Sequence, residues 1–466
     1  MSNSITKNFG YNVLLTMSTY IFGLIVFPYI SRVLGVDMIG RVNFADQTVN
    51  YFRILALMGV STVGIREIAA CGNDGQKRSQ VFSDIFSLLL ITSLLSVAVL
   101  LGLTFIIPKW AEIKSLLFVG SFYLFFSSTM IEWFYQGMEQ FKYVTLRSIA
   151  IKTVYVLLVF VFVKSPADYL KYYALLTGTI VANALINLGY SRRFATLKIS
   201  CAHPRRYLKP ILALGAYVLM LSFFTTFNVV YLGMTKGEHD VGVYTTATKI
   251  YGMILGVLTA YTSVMLPRMS SLISENKIDE FREKVSNSFE IVFSVAPPLI
   301  AGGVILAPQI VHILAGAQYV EAVLPMQIIM PLIFVVGLAQ IWVIQILMPM
   351  KKDRIVLMAA AASAVVGVVL NVLLVRKYSY FGSAIALLSA EIVNDAITLV
   401  YAIRGRLLVF PVKSMFRKIL LAIPYFLFCW LCAHCLTKPV VALAIAVAVC
   451  LAYFILINFK QRSKCS

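Results

Sequence analysis

Polar chain is what this sequence has least of. Charged residues fill only 13% of its 466 positions, and no stretch between the apolar runs is large enough to fold as a soluble domain. An ordinary globular domain carries about a quarter charged residues, so that class is excluded. Acids are scarcer still, with 20 Asp and Glu against 40 Lys and Arg. The seven cysteines show no disulfide framework. Cys429, Cys432 and Cys435 beside His434 look like a metal cluster, but a cysteine-rich helix end packed in lipid accounts for them, since no second ligand group accompanies them. No phosphate-cradling G-x-x-x-x-G-K-S/T pattern is present, which argues against ATP as the direct energy source. The first apolar stretch is too long for a cleavable signal peptide and lacks a small-residue cleavage site, so no signal peptide is expected.

What fills the chain is hydrocarbon. Hydrophobic residues make up 60% and the mean hydropathy is +0.87, the composition of a membrane protein. With about 20 apolar residues needed per crossing, fourteen spans are predicted. They are 10–30, 42–63, 83–107, 115–135, 145–163, 172–189, 211–233, 242–266, 288–307, 323–348, 355–375, 381–401, 419–436 and 440–458. Basic residues crowd every second gap, 27 on one side against 10 on the other. Basic residues are retained on the cytoplasmic side, which predicts an all-α polytopic membrane protein with both termini in the cytoplasm. The net charge of +20 is then a topology signal, and no nucleic-acid partner is expected.

With Arg147, at the start of span five, and Lys418 counted among the cytoplasmic loop residues, three basic residues remain inside spans: Arg53, Lys152 and Lys249. An ionised group near mid-membrane costs roughly 2.5–3.5 kcal/mol on insertion scales, so it faces a polar cavity or a partner. Lys152 lies near a span end and can snorkel; for Arg53 the structural alternative is a buried ion pair. Asn43, Asp46, Asn50 and Arg53 follow one another at three, four and three residues, one face of a helix. Span twelve repeats the device with Glu391, Asn394, Asp395 and Thr398; span six carries Asn183 and Asn187, and span eight Thr245 and Lys249. Such stripes must face water or protein. The carboxylates either neutralise the cations or bind a coupling proton or metal ion such as sodium.

The chain also repeats itself. Gly40, Ala45 and Arg66 recur as Gly242, Ala247 and Arg268, and Trp133-x-x-Gln136 with Lys142 recurs as Trp342-x-x-Gln345 with Lys351. An even number of spans between copies gives both the same direction, hence two six-helix lobes with a cavity between them. The lobes are predicted at 1–190 and 211–402, joined by a basic cytoplasmic linker, 191–210, long enough to let the halves move. Two further helices and a basic tail fill 403–466 and carry no embedded charge. Pro28, Pro297-Pro298 and Pro331 are expected to interrupt spans one, nine and ten.

The segments FPYISRVLGVDMIGRVNFADQTVNYF (27–52), GVSTVGIREIA (59–69) and WFYQGMEQFKYVTLRSI (133–149) resemble the bacterial polysaccharide repeat-unit flippases, which export O-antigen or capsule units. GVYTTATKIYGMILGVLTAYTSVMLPRMS (242–270) resembles the equivalent span in the second half. That family lies within the multidrug/oligosaccharidyl-lipid/polysaccharide exporter superfamily. The resemblance implies two lobes around a cationic cavity and alternating access. In the related lipid II flippases, arginines of the first two spans serve the substrate pyrophosphate; Arg32 and Arg53 match best here, and Arg268 holds the corresponding end of span eight. Arg32 and Arg66 fit equally as membrane-surface anchors.

The expected cargo is an undecaprenyl-pyrophosphate-linked oligosaccharide, met by Arg53, Lys249, Lys152, Arg32 and Arg268. Asn43, Asn50, Asn183, Asn187 and Thr245 are expected to line the cavity, and Asp46, Glu391 and Asp395 are candidates for ion coupling. Besides the glycan substrate, the expected partners are membrane lipids and other polysaccharide-assembly proteins. No cofactor and no catalytic residue is expected. A cation-coupled antiporter of the same superfamily is the nearest alternative, kept open by Glu391 and Asp395. A glycan polymerase or glycosyltransferase is disfavoured by a longest external loop, Pro308 to Ala322, with one carboxylate (Glu321) and no basic residue. A structural scaffold would leave the embedded charges unexplained.

Overall fold

A computed structural model describes residues 2–199, 207–208, 211–212, 215, 218–220, 222, 226–405, 410–436 and 438–462. Every regular element among them is helical. Large apolar side chains such as Leu95, Phe105, Phe162 and Leu373 stand exposed on these helices, an arrangement that only a lipid surround makes favourable. Eight helical stretches among the described residues are long and apolar enough to cross a bilayer, nine if one bent pair counts as a span. The protein is thus a multi-pass membrane protein. Two of those stretches, Val13–Ala69 and Asp353–Arg404, each hold two of the predicted spans.

The chain forms two compact units, residues 1–242 and 243–466. The first opens with α1 (Ser2–Leu57), α2 (Val60–Ala69), α3 (Gly75–Ile106), α4 (Lys114–Ser128) and α5 (Glu132–Gly137). It continues with α6 (Phe141–Phe162), α7 (Tyr169–Ser191) and α8 (Thr226–Thr235). Gly35, at φ 79° and ψ 173°, breaks α1 into two segments, a conformation open to glycine because it has no Cβ. Before the break the chain runs parallel to α6: Thr145 Oγ1 donates to the Tyr11 carbonyl, Lys152 Nζ to Thr19 Oγ1 and the Tyr29 hydroxyl to the Val163 carbonyl. After it the chain packs on α3, with Thr92 Oγ1 donating to the Ala56 carbonyl, and Phe52 lies edge-on to Trp110, beyond the end of α3, at 6.1 Å. Asp74 starts α3 by accepting from the Gln76 and Lys77 amides, relieving donors that a helix start leaves unpaired.

The division at 242 differs from the predicted one at the 191–210 linker. The reason is α8, which lies antiparallel along the second segment of α1. The Asn50 amide donates to Thr226 Oγ1 at 3.2 Å, and Gly233 leaves room for the Phe44 ring, which would come within 2.3 Å of a Cβ there. The start of the linker is fastened too: the Thr196 and Lys198 amides donate to the hydroxyls of Ser79 and Ser83. Residues 200–206 and 209–210 of the linker, and much of the seventh predicted span, lie outside the described residues.

The helix α9 (Glu238–Ser274) begins in the first unit and continues into the second. Further along are α10 (Ile278–Ile305), α11 (Ala307–Leu314), α12 (Val323–Ile329) and α13 (Leu332–Gln340). The chain ends with α14 (Asp353–Arg404), α15 (Val412–Cys435) and α16 (Pro439–Arg462). Ser379, at φ 52°, divides α14. The chain folds back there, since Ser383 Oγ donates to Asn371 Oδ1 across twelve residues, about 18 Å along a continuous helix. Of the prolines expected to interrupt spans, Pro331 sits at a 46° bend, whereas Pro28 and Pro297-Pro298 lie within continuous helix. Residues Ile341–Leu347 form a wider π-type turn. Inside it Trp342 is fully buried and donates to Thr398 Oγ1 at 3.1 Å, and Gln345 accepts from Ser288 Oγ. The repeated Trp-x-x-Gln is therefore core here, as is Trp133, whose ring lies against Gly64.

Candidate functional site

The polar stripe of α1 keeps its predicted geometry. Asn43, Asp46, Asn50 and Arg53 are each half-buried, while Val42, Phe44, Ala45, Val49, Phe52 and Ile54 between them are buried. Arg53 donates from Nε and Nη2 to Asn50 Oδ1, at 3.0 and 2.6 Å. Among the described residues no carboxylate forms an ion pair with it. Asp46, two helical turns away, is electrostatically close to Tyr123, Tyr172 and Tyr173, and the Tyr123 hydroxyl feels both Asp46 and Arg53. The hydrogen-bond partner of Arg53 is thus a neutral amide. A guanidinium in this setting holds an unspent positive charge and a planar fork of donors suited to phosphate.

The other predicted residues divide. Lys152 is half-buried on α6 with its ammonium on Thr19 Oγ1 at 2.6 Å. Arg32 is exposed and donates to the Pro28 carbonyl. Arg268 is exposed at the end of α9 and pairs with Glu280. Lys249 stands exposed on α9, one turn from half-buried Thr245. Asn183 is buried, donating to the Thr179 carbonyl while its Oδ1 finds no partner.

Asn187, expected to line a cavity, is instead fully buried and used up by the fold. Its Oδ1 accepts from Arg147 and Tyr143, its Nδ2 donates to the Met130 carbonyl, and its own carbonyl accepts from Tyr135.

Two buried cations escaped the sequence reading. Arg147, counted with a cytoplasmic loop, lies within α6, bound to Asn187 and paired with Glu132 at 2.7 Å. Lys418, also counted with a loop, is 2% exposed in α15, its Nζ on Ser294 Oγ at 3.0 Å and 3.5 Å from Glu290. The C-terminal helix pair therefore does carry an embedded charge. Both lysine and arginine sit near predicted span ends, where sequence alone cannot separate a snorkelling cation from a buried one.

In the second unit Glu391, Asn394 and Asp395 are half-buried on α14, ahead of buried Thr398. Neither carboxylate is ion-paired among the described residues, and Asp395 Oδ1 is enclosed without a hydrogen-bond partner. Tyr251 of α9 lies electrostatically close to Glu391, and the Trp342 indole donates to Thr398, three residues on from Asp395. Two unneutralised carboxylates one turn apart are suited to taking up a proton or a small cation. Among the described residues no group of three or more His, Cys, Asp or Glu is arranged to hold a metal. His434 instead packs on Trp430, with ring centroids 4.4 Å apart.

Residues 5–273 match the family model described as polysaccharide biosynthesis protein. A putative O-antigen transporter of Escherichia coli (strain K12) is 24% identical over 416 residues, covering 87% of this chain and 98% of that protein. A probable low-salt glycan biosynthesis flippase, Agl15 of Haloferax volcanii, is 23% identical over 48% of this chain and 47% of its own length. In fold the chain is similar to the lipid II flippase MurJ in an inward closed conformation, with a TM-score of 0.79, 13% identity, and coverage of 96% of this chain and 99% of that one. It also resembles an inward-facing multidrug resistance MATE transporter, with a TM-score of 0.62, 16% identity and coverage of 87% and 99%. An embedded arginine without a carboxylate, a helical membrane fold and a family match over more than half the sequence agree, and the chain belongs to the polysaccharide biosynthesis protein family.

Proposed function

We propose that the protein is a flippase that carries undecaprenyl-pyrophosphate-linked oligosaccharide units across the bacterial cytoplasmic membrane by alternating access. In this reading it has fourteen spans, both termini in the cytoplasm, and no enzymatic step. The single observation behind it is Arg53: an arginine within the membrane-spanning part of α1, half-buried, held by an amide and ion-paired to no described carboxylate. A pyrophosphate headgroup cannot cross bare hydrocarbon, because its charge and hydroxyls would lose their water. Fixed guanidinium and ammonium groups replace that water. Arg53 supplies the fork, Lys249 and Lys152 add ammonium charge, and Arg32 and Arg268 attract the headgroup near the surface. Asn43, Asn50 and Thr245 offer bonds to sugar hydroxyls while the prenyl tail stays in lipid. The names of the O-antigen transporter and glycan flippase relatives support this cargo.

Glu391 and Asp395, with Asp46 as a third candidate, fit the uptake of a coupling proton or sodium ion. The same pair also supports a second reading, a cation-coupled antiporter, which the MATE-like fold accommodates. Cells carrying Arg53→Glu separate the two. A stably expressed variant with lost surface glycan and unchanged drug resistance supports the flippase; normal glycan export removes Arg53 from the mechanism.

A further inference from the structure

We propose that Asn50 and Thr226 are positioning residues, which fix the orientation of the Arg53 guanidinium and tie it to the placement of α8. The inference rests on the reading of Arg53 as a phosphate-binding group. It begins with which hydrogens are occupied. A guanidinium presents five N–H donors in one plane. Asn50 Oδ1 takes the Nε–H and one Nη2–H, both directed along the same edge. The opposite edge, formed by Nη1 and the second Nη2 hydrogen, is the edge a phosphate grips with two parallel bonds.

Asn50 can hold that edge only if its own amide is the right way round. An amide rotated by half a turn would present its NH2 to the guanidinium, donor against donor. Arg53, which can only donate, decides which end of the amide faces it; Thr226 fixes where the amide sits, its hydroxyl accepting from Asn50 Nδ2 at 3.2 Å, and Thr226 is itself buried at 3% exposure. Thr226 in turn is placed by α8, whose register on α1 is set where Gly233 meets the Phe44 ring. A slip of α8 by one turn would carry Thr226 about 5 Å from Asn50 and release the amide. Asparagine also does what aspartate could not: an Asp at this position would pair with Arg53 and compete with the arriving phosphate.

The test uses the purified full chain in detergent and undecaprenyl pyrophosphate as the probe. Asn50→Ala and Thr226→Val are expected to weaken binding about tenfold each, equivalent to about 1.4 kcal/mol. Thr226→Ser, which keeps the hydroxyl, should bind as the parent does. Asn50→Asp is expected to lose at least as much as Asn50→Ala. With Arg53→Ala already in place, Thr226→Val should cost nothing more, the signature of a residue acting through another. If Asn50→Ala and Thr226→Val bind like the parent while Arg53→Ala does not, the positioning role is wrong and the phosphate-binding role of Arg53 stands. If Arg53→Ala also binds like the parent, the reading beneath it fails. Should Thr226→Val not fold, the order of Asn50→Asp and Asn50→Ala decides the matter, and an Asn50→Asp protein binding like the parent overturns the proposal.

Discussion

Gly40 and Gly242 lie backbone to backbone. A Cβ on Gly40 would fall 2.6 Å from the Gly242 amide nitrogen and 1.8 Å from the Glu238 carbonyl oxygen. One on Gly242 would fall 2.2 Å from the Val36 carbonyl oxygen. These two glycines stand 202 residues apart, the interval read as a repeat in the sequence, and their surroundings show the same interval. Gly35 and Gly237 both have positive φ, at 79° and 104°. Asp37 pairs with His239 across 202 residues, at 2.7 Å. The two glycines thus meet reciprocally within the first unit, each allowed close by the absence of a side chain on the other.

Gly40→Ala should therefore be costly. The atoms in the way are main chain, which cannot rotate aside, and overpacking of this kind costs about 1–3 kcal/mol. Gly102→Ala is the control, since nothing lies within 4 Å of a Cβ there. Thermal unfolding in detergent should show a lowered midpoint for the first and an unchanged or raised one for the second.

Arg147 should matter for stability rather than transport specificity. Removing it strands Glu132 and leaves Asn187 Oδ1 short of a donor inside the first unit. Breaking a buried pair from one side costs about 3–5 kcal/mol. Arg147→Met is expected to reduce the amount of folded protein recovered from membranes, with Glu132→Gln milder because Glu132 is 29% exposed.

Lys418 offers a two-sided test of the same principle. Lys418→Ala alone leaves Glu290 without its buried partner and should lower the unfolding midpoint. Replacing both, Lys418→Met with Glu290→Gln, removes the pair together and should recover most of the loss. Failure of the double variant to recover would mean that Ser414 and Ser294, which bond to this pair, carry more of its stability than the charges do.

Beyond the end of α9 the pair Glu275–Lys277 sets a pH window. A hydrogen bond from Lys277, then one from Ser271, holds the Glu275 carboxyl below its usual range, and Glu275 holds the Lys277 ammonium above its own. The lowered acid contributes above its unfolded value and fades as pH falls through the folded one. The raised base contributes below its unfolded value and fades as pH rises through the folded one. Between roughly pH 5 and 9, clear of both ordinary ranges, this pair should add no pH dependence to the unfolding midpoint, and Glu275→Gln should abolish its share of the acid limb.

Helical class, the stripe on α1 and the paired acids on α14 were legible, because each is a matter of spacing along a helix. The places where the reading fell short share a cause. Arg147 and Lys418 look like loop cations because a span end is blurred by several residues, and burial there depends on Glu132 and Glu290, distant in sequence. Asn187 has the spacing of a cavity residue, yet its neighbours Tyr135, Tyr143 and Arg147 come from other helices. Pro28 and Pro297-Pro298 misled for a related reason: a membrane helix tolerates proline when neighbouring groups take up the freed carbonyls, whereas Gly35 and Ser379 break the chain through their backbone angles.

The amide beneath Arg53 has one more implication. An arginine fastened to a carboxylate would have to break that bond to greet each anion and remake it on every departure. If Arg53 binds the anion as proposed, resting on Asn50 would let it keep the same neighbour loaded or empty, so that discharge would strand no naked acid in the oil and the two half-journeys would be close to even in energy.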